Sequence, residues 1–301
     1  MHTAITLVCN PARPALDAEL GARVSAFLDH HDWAGDVRRT VLAKGVAEDL
    51  EFHSNGDLAG IRADVAELLK GRPIDIVVQP AEGRRKRLLV ADMDSTIIGQ
   101  ECIDELAEFV GLRAEISAIT EQAMRGEIDF EEALLSRVAL LKGLPESVLE
   151  ETYRGKISLN PGARTLVQTM KKFGARCALV SGGFTFFTER VAAAAGFDVN
   201  EANELTIRDG VLSGDVRRPI RGREAKENAL LRIAGELGLS LSQTLAVGDG
   251  ANDLDMIGAA GLGVAYHAKP KVAAAADASI RYGDLTALLY LQGVPRTEFV
   301  G

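Results

Sequence analysis

Cysteine is scarce in this chain, and long apolar runs are absent. The three cysteines, Cys9, Cys102 and Cys177, are odd in number, widely spaced and without a CxxC pair. This usage argues against a structural zinc site and favours a reducing compartment. No apolar run approaches the roughly 20 residues that a membrane-spanning helix needs, and the N-terminus lacks the basic and apolar regions of a signal peptide. We therefore expect a cytoplasmic protein.

Positive charge is also in short supply. The chain has 34 Lys and Arg against 43 Asp and Glu, which gives a net charge of −9. Such an acidic chain is a poor candidate for nonspecific nucleic-acid binding, so we expect neither nucleic acid nor a membrane as a partner. With 47% hydrophobic and 26% charged residues in 301 positions, the composition predicts a globular protein of one large or two modest domains.

The first 80 or so residues follow a pattern of their own. Strand-like segments at 3–9, 37–43, 47–54 and 73–80 alternate with helix-like segments at 14–31 and 57–71. The order βαββαβ predicts a small antiparallel sheet with both helices on one face. A polar, basic stretch at 81–87 is typical of a linker. We predict an α+β domain at 1–82 and a second domain at 83–301.

From Leu88 onward the pattern changes to that of an α/β fold. The apolar segments "RLLVADMD", "ARCALVSGG" and "TLAVGDGAND" are separated by amphipathic helices and end in small or acidic residues. This alternation predicts a parallel sheet covered on both faces, in which ligands lie outside the carboxyl ends of the strands. Residues 104–159 have helical spacing and exceed what a simple crossover requires. They predict a helical cap inserted over the strand ends.

Paired aspartates follow two of these strands. Asp92 and Asp94 end the first strand, and residues i and i+2 of a strand lie on one side. Two neighbouring buried carboxylates repel each other and need a cation, a proton or a shared ligand. Asp249 and Asp253 follow the third strand, with no His or Cys nearby. An all-oxygen set suits Mg²⁺; the alternative is that these residues only cap polar turns.

Two further features are typical of a phosphate site. The second strand ends in Ser181, Gly182 and Gly183, which offer a hydroxyl and approachable backbone N–H groups to a phosphate oxygen. Lys226, in the first turn of a predicted helix, supplies a cation for phosphate. A plain turn and a solvated lysine are the alternatives when each feature is taken alone.

Taken in order, "DMDST", "SGG", a downstream lysine and "GDGAND" resemble the four motifs of the haloacid dehalogenase superfamily of phosphatases. Within that superfamily, the chain resembles the phosphoserine phosphatase family over about residues 87–297. The resemblance implies a Rossmann-like core with a helical cap between the first two motifs. It also implies Mg²⁺-dependent hydrolysis of O-phospho-L-serine through an aspartyl-phosphate intermediate, the last step of serine biosynthesis.

The same resemblance implies roles for particular residues. Asp92 resembles the nucleophile, and Asp94 resembles the acid that protonates the leaving serine oxygen and then activates water. The Mg²⁺ would be held by Asp92, the backbone carbonyl of Asp94 and Asp249, with Asp253 nearby. The groups that would contact or order the phosphate are Ser181, Gly182, Lys226 and Asn252. With Mg²⁺ bound, Asp92 would stay ionised, whereas Asp94 needs a raised pKa to hold its proton.

Glu101 and Arg137 are the candidates for reading the serine part of the substrate. Arg137 lies at the edge of an apolar helical stripe, where a guanidinium suits a bidentate carboxylate contact. Both residues match the positions that the resemblance assigns to the ammonium and carboxylate contacts, and Met124 and Phe130 resemble the apolar lining above the site. The alternatives are a helix-start glutamate and a snorkelling arginine.

Residues 1–82 resemble an ACT-like domain in element order and position. This implies a regulatory or dimerisation module, with a homodimer through this domain and L-serine as product or feedback ligand. Two other functions stay open. One is the same chemistry on another small phosphomonoester, including phosphoryl transfer to an alcohol. The other is an amino-acid-sensing regulator with a vestigial catalytic core.

Overall fold

The N-terminal part of the chain is an antiparallel sheet with two helices. A computed structural model describes residues 1–30, 36–54, 57–125 and 127–301, apart from the side chains of Met124 and Arg125. The first elements are β1 (His2–Val8), α1 (Ala18–Asp29), β2 (Arg38–Ala43), β3 (Ala47–His53), α2 (Leu58–Leu68) and β4 (Asp75–Pro80). The strand order is β2-β3-β1-β4 with antiparallel neighbours, which confirms the predicted βαββαβ sheet. His31, the end of the predicted first helix, lies outside the described residues.

This sheet is covered on both faces. Ile5 and Leu50 pack with Val24 of α1 and Val65 of α2 in one apolar cluster, so both helices cover the same face, as predicted. Because side chains alternate along a strand, the neighbouring residues point to the other face. There, residues such as Val8 belong to the large core that includes the C-terminal segment 285–291.

The predicted linker at 81–87 is irregular, but it is not a free tether. Its Arg84 is buried, and the guanidinium pairs with Asp49 at 2.7 Å and with Glu51 at 2.6 Å. Gln79 also donates to the Leu291 carbonyl at 2.7 Å. Contacts between distant parts of the chain therefore bury a basic residue that local composition places in solvent.

The larger sheet is parallel and has six strands in the order β12-β11-β10-β5-β6-β7. Its strands are β5 (Leu88–Ala91), β6 (Arg176–Phe184), β7 (Val199–Asn203), β10 (Thr244–Gly248), β11 (Gly263–Tyr266) and β12 (Ala278–Ile280). The helices of this part are α7 (Ala163–Lys172), α8 (Thr185–Ala195), α9 (Arg223–Glu236), α10 (Leu254–Ala259), α11 (Pro270–Ala275) and α12 (Ala287–Tyr290). Leu89 and Val247 pack on one face and Leu88 and Ala246 on the other, which confirms a Rossmann-like sheet buried on both sides.

Helices form the predicted cap over the strand ends, and a β-hairpin from later in the chain packs against these helices. The helices are α3 (Cys102–Ala107), α4 (Arg113–Arg125), α5 (Phe130–Leu140) and α6 (Ser147–Lys156), and the hairpin is β8 (Leu205–Arg208) with β9 (Val211–Val216). The Leu212 N–H of the hairpin donates to the Leu144 carbonyl at 2.8 Å. The hairpin was not predicted, although its turn carries a signal: Asp209 and Gly210 both have positive φ, as a tight Asp-Gly hairpin turn requires.

The two chain crossings between sheet and cap lie side by side. Ile98 pairs with Leu159, and Asn160 donates through its backbone to the Ile97 carbonyl at 2.8 Å and through its side chain to the Thr96 carbonyl at 2.7 Å. These contacts join the cap directly to the segment after β5. Among the described helices, none is long and apolar enough to cross a bilayer.

Candidate active site

The turn after β5 places two aspartates in one cavity. Asp92 directly follows the strand, and its N–H donates to the Val247 carbonyl at 3.0 Å. The chain then makes a wide turn, Met93–Ile97, in which Ser95 has a φ of 54°. Asp92 and Asp94 both line a cavity of about 300 Å³, as predicted. Because β5 ends at Ala91, the turn rather than strand alternation brings Asp94 to this cavity.

Acidic groups crowd this end of the sheet. Carboxylate oxygens of Asp92, Asp249 and Asp253 lie within 4.8 Å of one another, with Lys226 as the ammonium among them. Lys226 Nζ lies 2.6 Å from an oxygen of Asp92 and 2.6 Å from an oxygen of Asp253. One ammonium cannot balance these carboxylates together with Asp94.

The pKa values reflect the excess of negative charge. Burial and the neighbouring Asp253 raise the pKa of Asp92 and bring the pKa of Asp249 to about 6. Burial likewise raises the pKa of Asp94. The two carboxylates beside Lys226 raise the pKa of the lysine against the effect of its burial. The oxygen-only donors and their uncompensated charge fit a hard divalent cation such as Mg²⁺.

The end of β6 supplies a hydroxyl and closely packed glycines. Ser181 is buried, and its Oγ donates to Asp94 Oδ2 at 3.3 Å and accepts from the Gly183 N–H at 2.9 Å. A Cβ added to Gly183 would lie 2.8 Å from Asp94 Oδ2, and one added to Gly182 would lie 2.9 Å from the Phe130 ring. Glycine is therefore required for acid and cap to approach this backbone.

The cap side of the cavity carries one carboxyl group, that of Glu101, and one guanidinium group, that of Arg137. Glu101 Oε1 accepts from the Ser95 hydroxyl at 2.6 Å, and burial with the nearby Asp94 raises the pKa of Glu101 to about 8. Arg137 is buried and donates to the Ala133 carbonyl at 3.1 Å and to Thr120 Oγ1 at 3.0 Å. Burial lowers the pKa of Arg137, while the carboxylate of Glu101 raises it.

Most of the residues predicted for the site meet in this one cavity. Its lining includes Asp92, Asp94, Glu101, Phe130, Arg137, Ser181, Gly182, Asp249 and Asn252. Lys226 and Asp253 are not among the lining residues; they are fully buried behind Asp92. The side chain of Met124 lies outside the described residues.

Sequence reasoning missed other residues of the lining. Cys102 donates through its backbone N–H to Asp94 Oδ1 at 2.9 Å, and Thr120, Arg223 and Lys271 also line the cavity. Cys102 follows Glu101 directly, so its position next to a predicted site residue was a signal that could have revealed it. Lys271 belongs to α11, far along the chain, and no motif marks it.

The fold and this site together define a class of enzyme. A family model described as haloacid dehalogenase-like hydrolase matches residues 89–258, and the chain belongs to that family. A solved HAD family hydrolase of Salmonella enterica serovar Typhi is similar to this chain with a TM-score of 0.83 and 30% identity. That match covers 96% of this chain and 98% of the other.

Two curated relatives carry a narrower name. The phosphoserine phosphatase of Streptomyces coelicolor is 41% identical over 297 residues, which cover 98% of this chain and 71% of that protein. The phosphoserine phosphatase of a Polaromonas species is 47% identical over 230 residues, covering 75% of this chain and 98% of that protein. These matches confirm the predicted resemblance to the phosphoserine phosphatase family.

Proposed function

We propose that this chain is a Mg²⁺-dependent phosphatase that hydrolyses O-phospho-L-serine to L-serine and phosphate. The observation that carries the proposal is one cavity that holds both kinds of group such a substrate needs. Asp92 and Asp94 supply carboxylates for phosphoryl chemistry. Arg137 supplies a cation that suits the carboxylate of an amino acid, and Glu101 supplies a carboxyl group that suits its ammonium once ionised. The reaction would be the last step of serine biosynthesis.

In the first step, we assign the attack on phosphorus to Asp92. Its carboxylate oxygen bonds to phosphorus while the bond between phosphorus and the serine oxygen breaks, which leaves an aspartyl phosphate. Asp94 gives its proton to the departing serine oxygen, a role that its raised pKa suits. We assign the Ser181 hydroxyl and the Gly182 N–H as donors to the transferred group, and Asn252 as a residue that helps to order it.

In the second step, water replaces Asp92 on phosphorus. Asp94, now ionised, accepts a proton from the attacking water, and the bond between phosphorus and the Asp92 oxygen breaks to release phosphate. Lys226 Nζ lies 2.6 Å from an oxygen of Asp92. We assign to Lys226 the balancing of charge at Asp92 and Asp253, from which the phosphoryl oxygens also benefit.

The groups that we assign to Mg²⁺ are Asp92, Asp249, the backbone carbonyl of Asp94 and the neighbouring Asp253. When bound, the ion would offset the carboxylate charge and stabilise the negative charge on the transferred phosphoryl group. The support is the set of carboxylate oxygens within 4.8 Å of one another, of which those of Asp92 and Asp253 share the single ammonium of Lys226.

A panel of phosphate esters tests this proposal. Phosphate release from phospho-L-serine, phospho-L-threonine and sugar phosphates is measured with Mg²⁺ and again with EDTA. We expect the highest kcat/KM for phospho-L-serine and loss of turnover with EDTA. Preference for a sugar phosphate, or transfer of the phosphoryl group to an added alcohol, would favour the alternative of a different phosphomonoesterase or a phosphotransferase.

For residues 1–82 we propose an ACT-like domain that binds L-serine or joins two copies of the chain, followed by the phosphatase domain at 83–301 with its cap at about 104–159. The support is the antiparallel βαββαβ sheet. Sedimentation with and without L-serine tests the domain's role: a monomer whose sedimentation does not change with serine would contradict it.

We also infer a cytoplasmic location, in keeping with Cys9, Cys102 and Cys177, which are all free.

A further inference from the structure

Ser95 is a motif residue that the proposed mechanism does not use. It follows Asp94 in the wide turn, and its φ of 54° lies in the left-handed region that non-glycine residues rarely adopt. Its N–H donates to the Gln100 carbonyl at 3.2 Å, which closes the turn onto the segment that leads to Glu101. Strained residues of this kind persist where surrounding contacts fix them, and they cluster at functional sites.

The side chain of Ser95 contacts the acid of the cap side. Its hydroxyl donates to Glu101 Oε1 at 2.6 Å, the short distance of a hydroxyl bonded to a carboxylate. Glu101 and Arg137 line the same cavity, and both are largely removed from water. A glutamate side chain has several rotamers, so a contact that fixes one before the ligand arrives reduces the entropy lost on binding.

We propose that Ser95 is a positioning residue that holds the Glu101 carboxylate for the ammonium group of the substrate, and so contributes to the choice of an amino-acid phosphate. The inference rests on the proposed function. Ser95 needs no contact with substrate in this role, because its hydroxyl occupies one carboxylate oxygen and leaves the other for a ligand donor. The left-handed turn is what brings a residue six positions before Glu101 into contact with it.

Three substrates separate the two ends of the amino-acid group. Phospho-L-serine has both ammonium and carboxylate, phosphoethanolamine has only the ammonium, and 3-(phosphonooxy)propanoate has only the carboxylate. In S95A, we expect kcat/KM to fall about tenfold for the two ammonium substrates, as for a lost hydrogen bond to a charged group. For the third substrate, we expect kcat/KM to fall by less than about threefold. The loss on the two ammonium substrates should appear in KM rather than in kcat.

Variants separate the hydroxyl from the backbone strain. S95G also lacks the hydroxyl but adopts a positive φ freely, so it should match S95A in substrate selectivity. In an E101Q background, S95A should have an effect of less than about threefold, because the pair acts as a unit. The matched control is S117A: Ser117 donates to Asp104 at 2.8 Å on the cap and does not line the cavity, so selectivity should not change.

The outcomes are distinguishable. A parent chain that does not hydrolyse phospho-L-serine overturns the proposed function and this inference with it. If the parent is active but S95A and S95G lose equally on all three substrates, Ser95 supports the catalytic turn and the inference is wrong. It is also wrong if both variants keep the parent's selectivity, or if the S95A effect is undiminished in the E101Q background.

Discussion

The N-terminal sheet and the ends of the parallel strands both bury carboxylates, but they satisfy them differently. In the N-terminal sheet, Asp49 accepts from Thr6 at 2.7 Å and pairs with Arg84 at 2.7 Å. Asp75 accepts from the backbone N–H groups of residues 281–283 at distances between 2.8 and 3.3 Å. Arg84 also pairs with Glu51, but its guanidinium offers a separate nitrogen to each acid, Nη1 to Asp49 and Nη2 to Glu51. These contacts join the sheet to the linker and to the C-terminal part.

At the strand ends, by contrast, Asp92 and Asp253 share one ammonium, and Asp249 has a threonine hydroxyl at 3.3 Å. A buried charge without its own partner is unfavourable for folding. Folding alone therefore does not explain the second cluster, whereas the proposed catalysis and metal binding would. The comparison teaches that the balance of partners, rather than burial itself, separates structural acids from functional ones.

Replacing Asp92 should have the largest effect. D92N removes the proposed nucleophile with little change in volume, so we expect kcat to fall at least about 10³-fold, since the covalent step has no substitute. It also removes one charge from a repelling cluster, so the free energy of unfolding without Mg²⁺ should stay equal or rise. Phosphate release and thermal unfolding measure the two quantities. Turnover within tenfold of the parent would show that Asp92 is not the nucleophile.

Replacing Arg84 should have the opposite pattern of effects, lowering stability while leaving turnover unchanged. R84A leaves Asp49 buried without its cation, and we expect it to lower the free energy of unfolding by about 3–5 kcal/mol, while kcat well below the unfolding transition stays unchanged. Urea unfolding measures the loss. The matched control is R154A, whose arginine is exposed and pairs with Glu150 on the cap surface; its effect should be much smaller. Equal stability of R84A and the parent would mean that the buried network contributes nothing.

Arg137 should affect specificity. Truncating a buried partner of a ligand carboxylate typically costs about 2–5 kcal/mol, so R137A should raise KM for phospho-L-serine by a corresponding factor. Phosphoethanolamine, which lacks the carboxylate, should be affected far less. R113A is the control, because Arg113 lies on the cap with Glu105 at 3.2 Å but does not line the cavity. Equal losses on both substrates would place Arg137 in a structural or phosphate role.

The smallest effect is a pH dependence from Glu101. Because its pKa is raised to about 8, the free enzyme below that pH carries mostly protonated Glu101, which does not attract an ammonium. As pH rises towards 8 the carboxylate forms, so kcat/KM for phospho-L-serine should rise by at most about tenfold per pH unit. For 3-(phosphonooxy)propanoate, and for E101Q with either substrate, this rise should be absent. The same profile for both substrates with the parent would rule out Glu101 as the titrating group.

The sequence predicted what is local. Short motifs revealed the strand-end acids, Ser181 and Gly182, because residue type and strand position together constrain them. The sequence could not predict that Lys226 lies behind Asp92 rather than on the cavity surface, or that Arg84 is buried. Those outcomes depend on contacts between residues far apart in the chain, such as Arg84 with Asp49. The left-handed turn at Ser95 is also invisible to strand and helix periodicity.

The hairpin β8–β9 and the strands β7, β11 and β12 show a second limit. Their lengths, from three to six residues, do not set them apart from β5 with four residues or β10 with five. What they lack is a motif such as "DMDST" or "GDGAND" after the strand. The hairpin's place on the cap follows from its hydrogen bonds to Leu144 and Gly143. No nearby sequence signal indicates that partner.

The stereochemistry of phosphoryl transfer tests the central claim, that the uncompensated strand-end acids form a catalytic site with Asp92 as its nucleophile. A phospho-L-serine analogue with an isotopically chiral thiophosphate group is hydrolysed in ¹⁸O-enriched water, and the configuration of the released thiophosphate is determined. Two successive in-line displacements, first by Asp92 and then by water, predict net retention at phosphorus. Net inversion would mean that water attacks the substrate directly, and would contradict the account.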